Sequence, residues 1–76
     1  MNSAVAELKP IARPELLASL TRAERLVVLY LCEGCSNKEI ADALGKSAAT
    51  VKFQLTQIYR KLDVHSRTRL VAVLSR

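Results

Sequence analysis

The sequence predicts an all-α domain, and three features of it indicate this class. Apolar residues recur three and four positions apart, helix-capping patterns precede these stretches, and no stretch alternates apolar and polar residues as a strand would. Half of the 76 residues are apolar, but only three are aromatic. The core is therefore expected to consist of aliphatic side chains packed between helices, in one small domain of modest stability.

The N-terminal part shows the weakest pattern. Residues 1–13 have no sustained apolar periodicity and are predicted to be a tail or linker. Pro14 suits the first position of a short helix over 14–20, because a proline lacks the N–H that would have no partner there. We therefore divide the chain into an N-terminal extension, residues 1–19, and a domain, residues 20–76.

A capping box starts the first long helix. Thr21 and Glu24 have the spacing at which each side chain satisfies the backbone N–H of the other residue. This predicts a helix over 22–32, and Gly34, which can adopt positive φ, ends it. The apolar seam of this helix comprises Val27, Val28 and Leu31.

The same spacing recurs at Ser36 and Glu39. It predicts a second helix over 37–44, which Gly45 ends. The apolar seam here consists of Ile40, Ala41 and Leu44.

Two more helices follow. Ser47 caps a third helix over 48–62, and Ser66 caps a fourth over 67–75. Because so few residues separate the second helix from the third, the two must meet at a sharp angle, as in a helix-turn-helix. The third helix has an apolar seam formed by Val51, Leu55, Ile58 and Leu62. Its opposite, outward face carries Ala49, Lys52, Phe53, Thr56 and Arg60.

Positive charge is concentrated in the last part of the chain. Residues 1–45 contain five basic and six acidic residues, whereas residues 46–76 contain seven basic residues against Asp63 alone. Such segregation indicates a polyanionic partner. A solvated basic surface that maintains solubility explains the charge equally well.

Several short patterns match a known family. They are Leu20-Thr21 with Glu24, Gly34 with Ser36-Asn37-Lys38-Glu39-Ile40-Ala41, Thr50-Val51-Lys52, and Lys61-Leu62 with Val64 and Ser66-Arg67. Over about residues 20–74 the chain resembles the LuxR-type helix-turn-helix domain of bacterial transcription regulators. The resemblance implies a compact four-helix domain whose third helix, over 48–62, enters the major groove of double-stranded DNA.

The resemblance also implies roles for individual residues. The positions that face base edges in the family match Lys52, Phe53 and Thr56. Contacts to the DNA backbone fall on Ser47, Thr50, Arg60 and Lys61. The last helix often mediates dimerisation in the family, which implicates Arg67, Leu70, Val71 and Leu74. The implied function is sequence-specific DNA binding and transcription regulation as a homodimer. RNA polymerase is a further candidate partner, apart from the resemblance.

Phe53 fits this role chemically. An apolar side chain in the major groove can contact the thymine methyl group, while Lys52 beside it can address guanine or a phosphate. The alternative is that Phe53 packs against the first helix or the tail. A module of the same fold that binds another regulator or RNA polymerase, through Phe53 or the stretch LVVLYLC, is the second functional hypothesis.

The stretch LVVLYLC is apolar nearly all round, because Leu26 and Leu29 lie outside the seam. Such a helix should be covered on more than one side. We expect either that Ile11, Leu16 and Leu17 fold back over Leu26 and Leu29, or that a second chain covers them.

Other functional classes find little support. Cys32 and Cys35 form a C-x-x-C pattern, but a structural zinc site needs four ligands, so we expect packing residues, no metal and no cofactor. A thiol or metal switch at these cysteines is the third hypothesis. No residue stands at a catalytic spacing from His65, the single histidine, so no enzyme activity is expected.

We expect no membrane association and a cytoplasmic location, because no apolar run approaches the roughly 20 residues of a membrane span and no signal peptide is evident. The residues before Leu20 are too few for a sensor domain, so no small-molecule ligand is expected in this chain.

Overall fold

The computed structural model describes residues 14–74, and the predicted tail over 1–13 lies outside these residues, as do Ser75 and Arg76. All regular structure within 14–74 is helical, which confirms the predicted class. In chain order the helices are α1 (Pro14–Leu17), α2 (Arg22–Cys32), α3 (Asn37–Leu44), α4 (Ala48–Leu62) and α5 (Arg67–Leu74). The bounds of α2, α3 and α4 are those predicted, whereas α1 is shorter than the predicted helix over 14–20. The proposed division at residue 19 stays a prediction.

Both capping boxes are present, and they explain where α2 and α3 begin. The backbone N–H of Glu24 donates to Oγ1 of Thr21 at 3.1 Å, and the N–H of Thr21 donates to Oε1 of Glu24 at 2.8 Å. Ser36 and Glu39 form the same reciprocal pair at 3.1 and 2.8 Å. Each box satisfies two N–H groups that would otherwise have no partner at the helix end.

A three-residue turn joins α3 to α4. Gly45 has φ +67°, and the N–H of Lys46 then donates to the carbonyl of Ala41 at 2.8 Å. Ser47 accepts the N–H of Thr50 at 3.1 Å and so begins α4. A residue with a Cβ would be strained at the φ of Gly45, so this glycine directs the chain from one helix to the next.

The core lies where α4 packs against both α2 and α3. The predicted seams are buried there, except that Leu44 and Leu62 are only half-buried. The buried apolar residues are Leu20, Val27, Val28, Leu31, Ile40, Ala41, Val51, Leu55, Ile58, Val64, Leu70 and Leu74. The aliphatic seam of α4 packs into this core. The opposite face of the helix is therefore turned outward.

The position of α5 bears on the predicted dimer interface, which stays a prediction. Leu70 and Leu74 are completely buried within the chain itself, so their side chains are not available to a second copy. Val71 is half-buried and Ala72 beside it is exposed. The sequence pattern could not separate these cases, because an apolar seam that packs on its own core looks the same as one that packs on a partner.

The expected cover over α2 is incomplete. Leu16 and Leu17 pack against the core and are half-buried, yet Leu26 remains 38% exposed and Leu29 49% exposed. Leu17 lines a hollow together with Leu26 and Leu29, so within the described residues α1 covers these two leucines only in part. Ile11, the third residue of that prediction, lies outside the described residues.

Candidate nucleic-acid interface

The outward face of α4 brings the predicted base-reading residues together. Lys52, Phe53 and Thr56 are all exposed, with Ala49 before them and Arg60 one turn beyond. Their spacings of three, four and seven residues place them on one side of a helix, opposite the buried seam. From Ala49 to Arg60 this face runs for about 16 Å along the axis, at a rise of 1.5 Å per residue.

Phe53 is the most exposed of the large apolar side chains within residues 14–74, at 64%. It is neither in the core nor among the residues packed against the core, and the tail named in the alternative explanation lies outside the described residues. A phenyl ring that is mostly exposed to water between Lys52 and Thr56 adds little to folding stability, because an apolar side chain stabilises a fold through its burial. Its position on the outward face therefore favours contact with a partner.

The hydroxyl of Thr56 is oriented by its own helix. Thr56 Oγ1 donates to the carbonyl of Lys52 at 3.1 Å. With its proton used in this way, the oxygen can still accept a hydrogen bond, and the methyl group can make an apolar contact. Thr56 therefore presents an acceptor and a methyl group, which suit an amino group or a thymine methyl on a base edge.

The beginning of α4 is held by short polar contacts. The hydroxyls of Ser47 and Thr50 lie 2.9 Å apart, and Nζ of Lys46 donates to Oε1 of Gln54 at 3.2 Å. These bonds fix the turn to the helix. The helix N-terminus carries a partial positive charge and unpaired N–H groups, which suits a phosphate.

The other end of the face contains a shallow hollow that Arg60 and His65 both line. Thr56, Tyr59, Asp63 and Val64 line the rest of it. Asp63 ends α4 in the left-handed conformation, at φ 55°, and the chain then turns back so that His65 reaches the hollow. Sequence reasoning missed this grouping, because spacing along the chain does not reveal the turn at Asp63.

Lys61, predicted to contact the DNA backbone, is engaged within the domain. Its Nζ lies 2.7 Å from Oε1 of Glu24, a carboxylate that is only 7% exposed. Burial alone would raise the pKa of Glu24, but the hydrogen bond from Lys61 and that from the backbone of Thr21 outweigh it, so the pKa lies below its ordinary value. The pair joins the C-terminal end of α4 to the first turn of α2.

Arg67, predicted to lie in a dimer interface, also has partners within the chain. Its Nη1 donates to Oδ1 of Asn37 at 2.8 Å, and its Nη2 donates to the carbonyl of Cys35. These bonds tie the start of α5 to the start of α3. The sequence did not reveal them, because thirty or more residues separate the partners.

The cysteines and the acidic residues form no metal site in the part of the chain that is described. Cys32 and Cys35 are half-buried and not joined by a disulfide. No group of three or more His, Cys, Asp or Glu side chains within 14–74 could hold a metal ion. No helix in the same range is long and apolar enough to cross a membrane.

Comparison with known proteins assigns a family to the region that contains the outward face of α4. A family model described as bacterial regulatory proteins of the luxR family matches residues 18–74. The glycerol metabolism activator of Pseudomonas putida is 45% identical over 58 residues, which make up 76% of this chain and 26% of that protein.

Two further relatives give the same result. The monoamine regulon transcriptional regulator of Klebsiella aerogenes is 47% identical over 58 residues, 76% of this chain and 26% of that protein. The transcriptional regulatory protein ComA of Bacillus subtilis is 43% identical over 54 residues, 71% of this chain and 25% of that protein. The chain therefore spans about a quarter of the length of these relatives.

Proposed function

Because this chain belongs to the luxR family of bacterial regulatory proteins, we propose that it binds double-stranded DNA sequence-specifically and thereby regulates transcription. The outward face of α4 enters the major groove in this proposal. Bacterial DNA lies in the cytoplasm, so the function would be exercised there.

One observation carries the proposal. The outward face of α4 presents Lys52 and Arg60 with an exposed phenyl ring between them, and α4 contains no acidic residue. The major groove is about 12 Å wide and admits a helix. A face of cations and small or apolar groups is suited to a surface that offers phosphates, base acceptors and thymine methyl groups together.

The roles on this face follow from the chemistry of each side chain. Lys52 addresses guanine O6 and N7, Phe53 contacts a thymine methyl group, and Thr56 offers its acceptor and its methyl group. Backbone contacts come from Ser47 and Thr50 at the start of α4 and from Arg60 at its end. The ammonium group of Lys61 already binds Glu24, so we assign Lys61 a smaller part in these contacts.

We further propose that two copies bind paired half-sites. The accessible part of α5, at half-buried Val71 and exposed Ala72, offers a small apolar patch for a contact between copies already bound to neighbouring half-sites. This replaces the predicted use of Leu70 and Leu74, which are buried.

Lys52→Ala is expected to weaken binding to the preferred duplex by about 1–3 kcal/mol, because a bidentate contact to guanine is worth about this much. The base preference should relax at one position. Site selection from random duplexes, followed by fluorescence anisotropy, measures both effects. Lys38→Ala removes an equal charge from α3 and should leave the base preference intact. An unchanged preference in a folded Lys52→Ala variant would show that the assignment is wrong.

Arg60→Ala is expected to weaken binding to every duplex alike, because a phosphate contact carries no base information. The slope of log K against log salt should become less steep by about one unit, the share of one neutralised phosphate. Titrations at several salt concentrations test this. Loss of base preference in this variant, or an unchanged slope, would contradict the role given to Arg60.

A second candidate function is a protein-interaction module of the same fold, for another regulator or RNA polymerase. The exposure of Phe53 favours it, because aromatic side chains are common anchors in protein interfaces. Phe53→Ala separates the two functions: under the DNA-binding proposal it lowers affinity for the selected duplex, whereas under the alternative it lowers only the affinity for the protein partner.

A further inference from the structure

The outer side of α2 carries a stripe that the proposed function does not use. Arg22, Leu26, Leu29 and Glu33 follow one another at spacings of four, three and four residues, so they lie along one line of the helix. All four are exposed. A groove lies on each side of the two leucines, one lined by Leu17 and the other by Tyr30. We call these four residues the α2 stripe.

We propose that the α2 stripe binds the α2 stripe of a second copy, with the two helices antiparallel around a two-fold axis. The axis passes midway between Leu26 and Leu29. Each Leu26 then lies level with Leu29 of the other copy, and each Arg22 lies level with Glu33 of the other copy. In antiparallel helices, residues that lie level have residue numbers with a constant sum. Leu26 with Leu29 and Arg22 with Glu33 have the same sum, so both pairs form in one register.

The charges of the α2 stripe favour a second copy of this chain over an unrelated protein as its partner. The stripe is self-complementary only when inverted, because its cation stands at the beginning of α2 and its anion at the end. Within residues 14–74 no hydrogen bond or ion pair joins the side chain of Arg22 or Glu33 to another residue. A two-fold contact must match a surface to itself, and here a central pair of leucines is flanked by an Arg–Glu pair at each end.

The remaining geometry is compatible with the proposal. The spacing of the stripe is that of an antiparallel coiled-coil seam, in which apolar residues of facing helices interdigitate. The grooves beside Leu26 and Leu29 give room for the leucines of the facing copy. The buried side of α2 faces the core against which α4 packs, so the α2 stripe and the outward face of α4 point in different directions. Docking at α2 therefore leaves the proposed DNA-binding face open.

The contact should be weak by itself. One helix of 11 residues offers much less than the roughly 1,200 Å² at which stable interfaces begin, so we expect a dissociation constant of about 0.1–1 mM. Two copies held near each other on one DNA molecule experience a high effective concentration, and under those conditions a contact of this size can select how they are arranged.

The test uses charge reversal in the 76-residue chain without DNA. Arg22→Glu places Glu opposite Glu33 of the other copy, and Glu33→Arg places Arg opposite Arg22. Each variant should self-associate about tenfold more weakly, because two symmetry-related pairs change sign at once. Both changes suit the helix dipole, since the acid stands at the beginning and the base at the end, so neither should unfold α2. Sedimentation equilibrium measures the association.

An equimolar mixture gives the sharpest result. Arg22→Glu and Glu33→Arg chains together restore an opposite-charge pair at both ends, so the mixture should associate as strongly as the unchanged chain. Lys38→Glu and Asp42→Arg on α3 are matched controls, and neither should alter self-association.

Four outcomes would overturn the proposal. These are a chain that stays monomeric up to about 1 mM, charge reversals without effect, a mixture that does not recover, and an association that Val71→Glu abolishes while both reversals leave it intact. Should a monomeric chain begin to associate once residues 1–13 are removed, the stripe is a site for that segment instead. DNA binding is not a readout here, so these results are independent of the proposed function.

Discussion

Leu55→Ala is expected to lower the free energy of unfolding by about 2–5 kcal/mol, the usual cost of removing a buried leucine side chain from a packed core. Leu55 is 3% exposed and lies in the middle of α4, the helix that packs against both α2 and α3. The cavity would therefore weaken the packing of three helices at once. A domain of this size has little reserve, so much of the variant should be unfolded at 37 °C.

Urea unfolding followed by circular dichroism measures this effect. Gln57→Ala, two residues further along the same helix, is the control and should change stability by less than about 0.5 kcal/mol. DNA affinity should fall in proportion to the unfolded fraction and should recover at low temperature, because Leu55 does not reach the outward face. If Leu55→Ala unfolds no earlier than the control, the core is not where the structure has it.

The helices could be predicted from the sequence because their signals are local. The capping box at Thr21 and Glu24 needs only four consecutive residues, and so does the one at Ser36 and Glu39. Apolar seams at helical spacing then indicated which side of each helix is buried. The end of α4 was predicted at Leu62 without a glycine to mark it, since Asp63 adopts the left-handed conformation that glycine or asparagine more often supplies.

The outward face of α4 could be predicted for the same reason. Once the seam of Val51, Leu55 and Ile58 is assigned to the core, Lys52 and Phe53 can only point elsewhere. Which of the basic side chains are available to DNA could not be predicted in this way. Lys61 and Arg67 both have partners thirty or more residues away, and no local pattern reports such pairs.

The contact between Glu24 and Lys61 has consequences for stability. Glu24 belongs to the capping box and also binds an ammonium group, while almost all of its carboxylate is out of contact with water. A buried ion pair adds little compared with an apolar pair of similar shape, but removing one partner leaves a buried charge that nothing compensates. The domain therefore needs the ammonium group of Lys61 beside Glu24 for its stability, as long as Glu24 stays ionised.

Lys61→Met is expected to destabilise the domain by about 2–3 kcal/mol. Breaking a fully buried pair costs about 3–5 kcal/mol, and the effect is smaller here because 36% of the Lys61 side chain is exposed. Lys52→Met, an exposed lysine on the same helix, is the matched control and should be close to neutral. Glu24→Gln added to Lys61→Met should recover part of the loss, since a neutral amide can still accept the N–H of Thr21.

Acid titration of the same variants tests whether the lost ion pair causes the destabilisation in Lys61→Met. In the unchanged chain the pKa of Glu24 is lower in the folded state than in the unfolded state, so its contribution is complete above the unfolded pKa and is lost as the pH falls through the folded pKa. Unfolding free energies measured from about pH 6 down to about pH 3 should include this loss. In Lys61→Met the loss should be smaller, because burial, which raises the pKa of Glu24, is then opposed only by the hydrogen bonds with Thr21. A variant as acid-sensitive as Lys52→Met would mean that Lys61 does not hold the carboxylate in its ionised form.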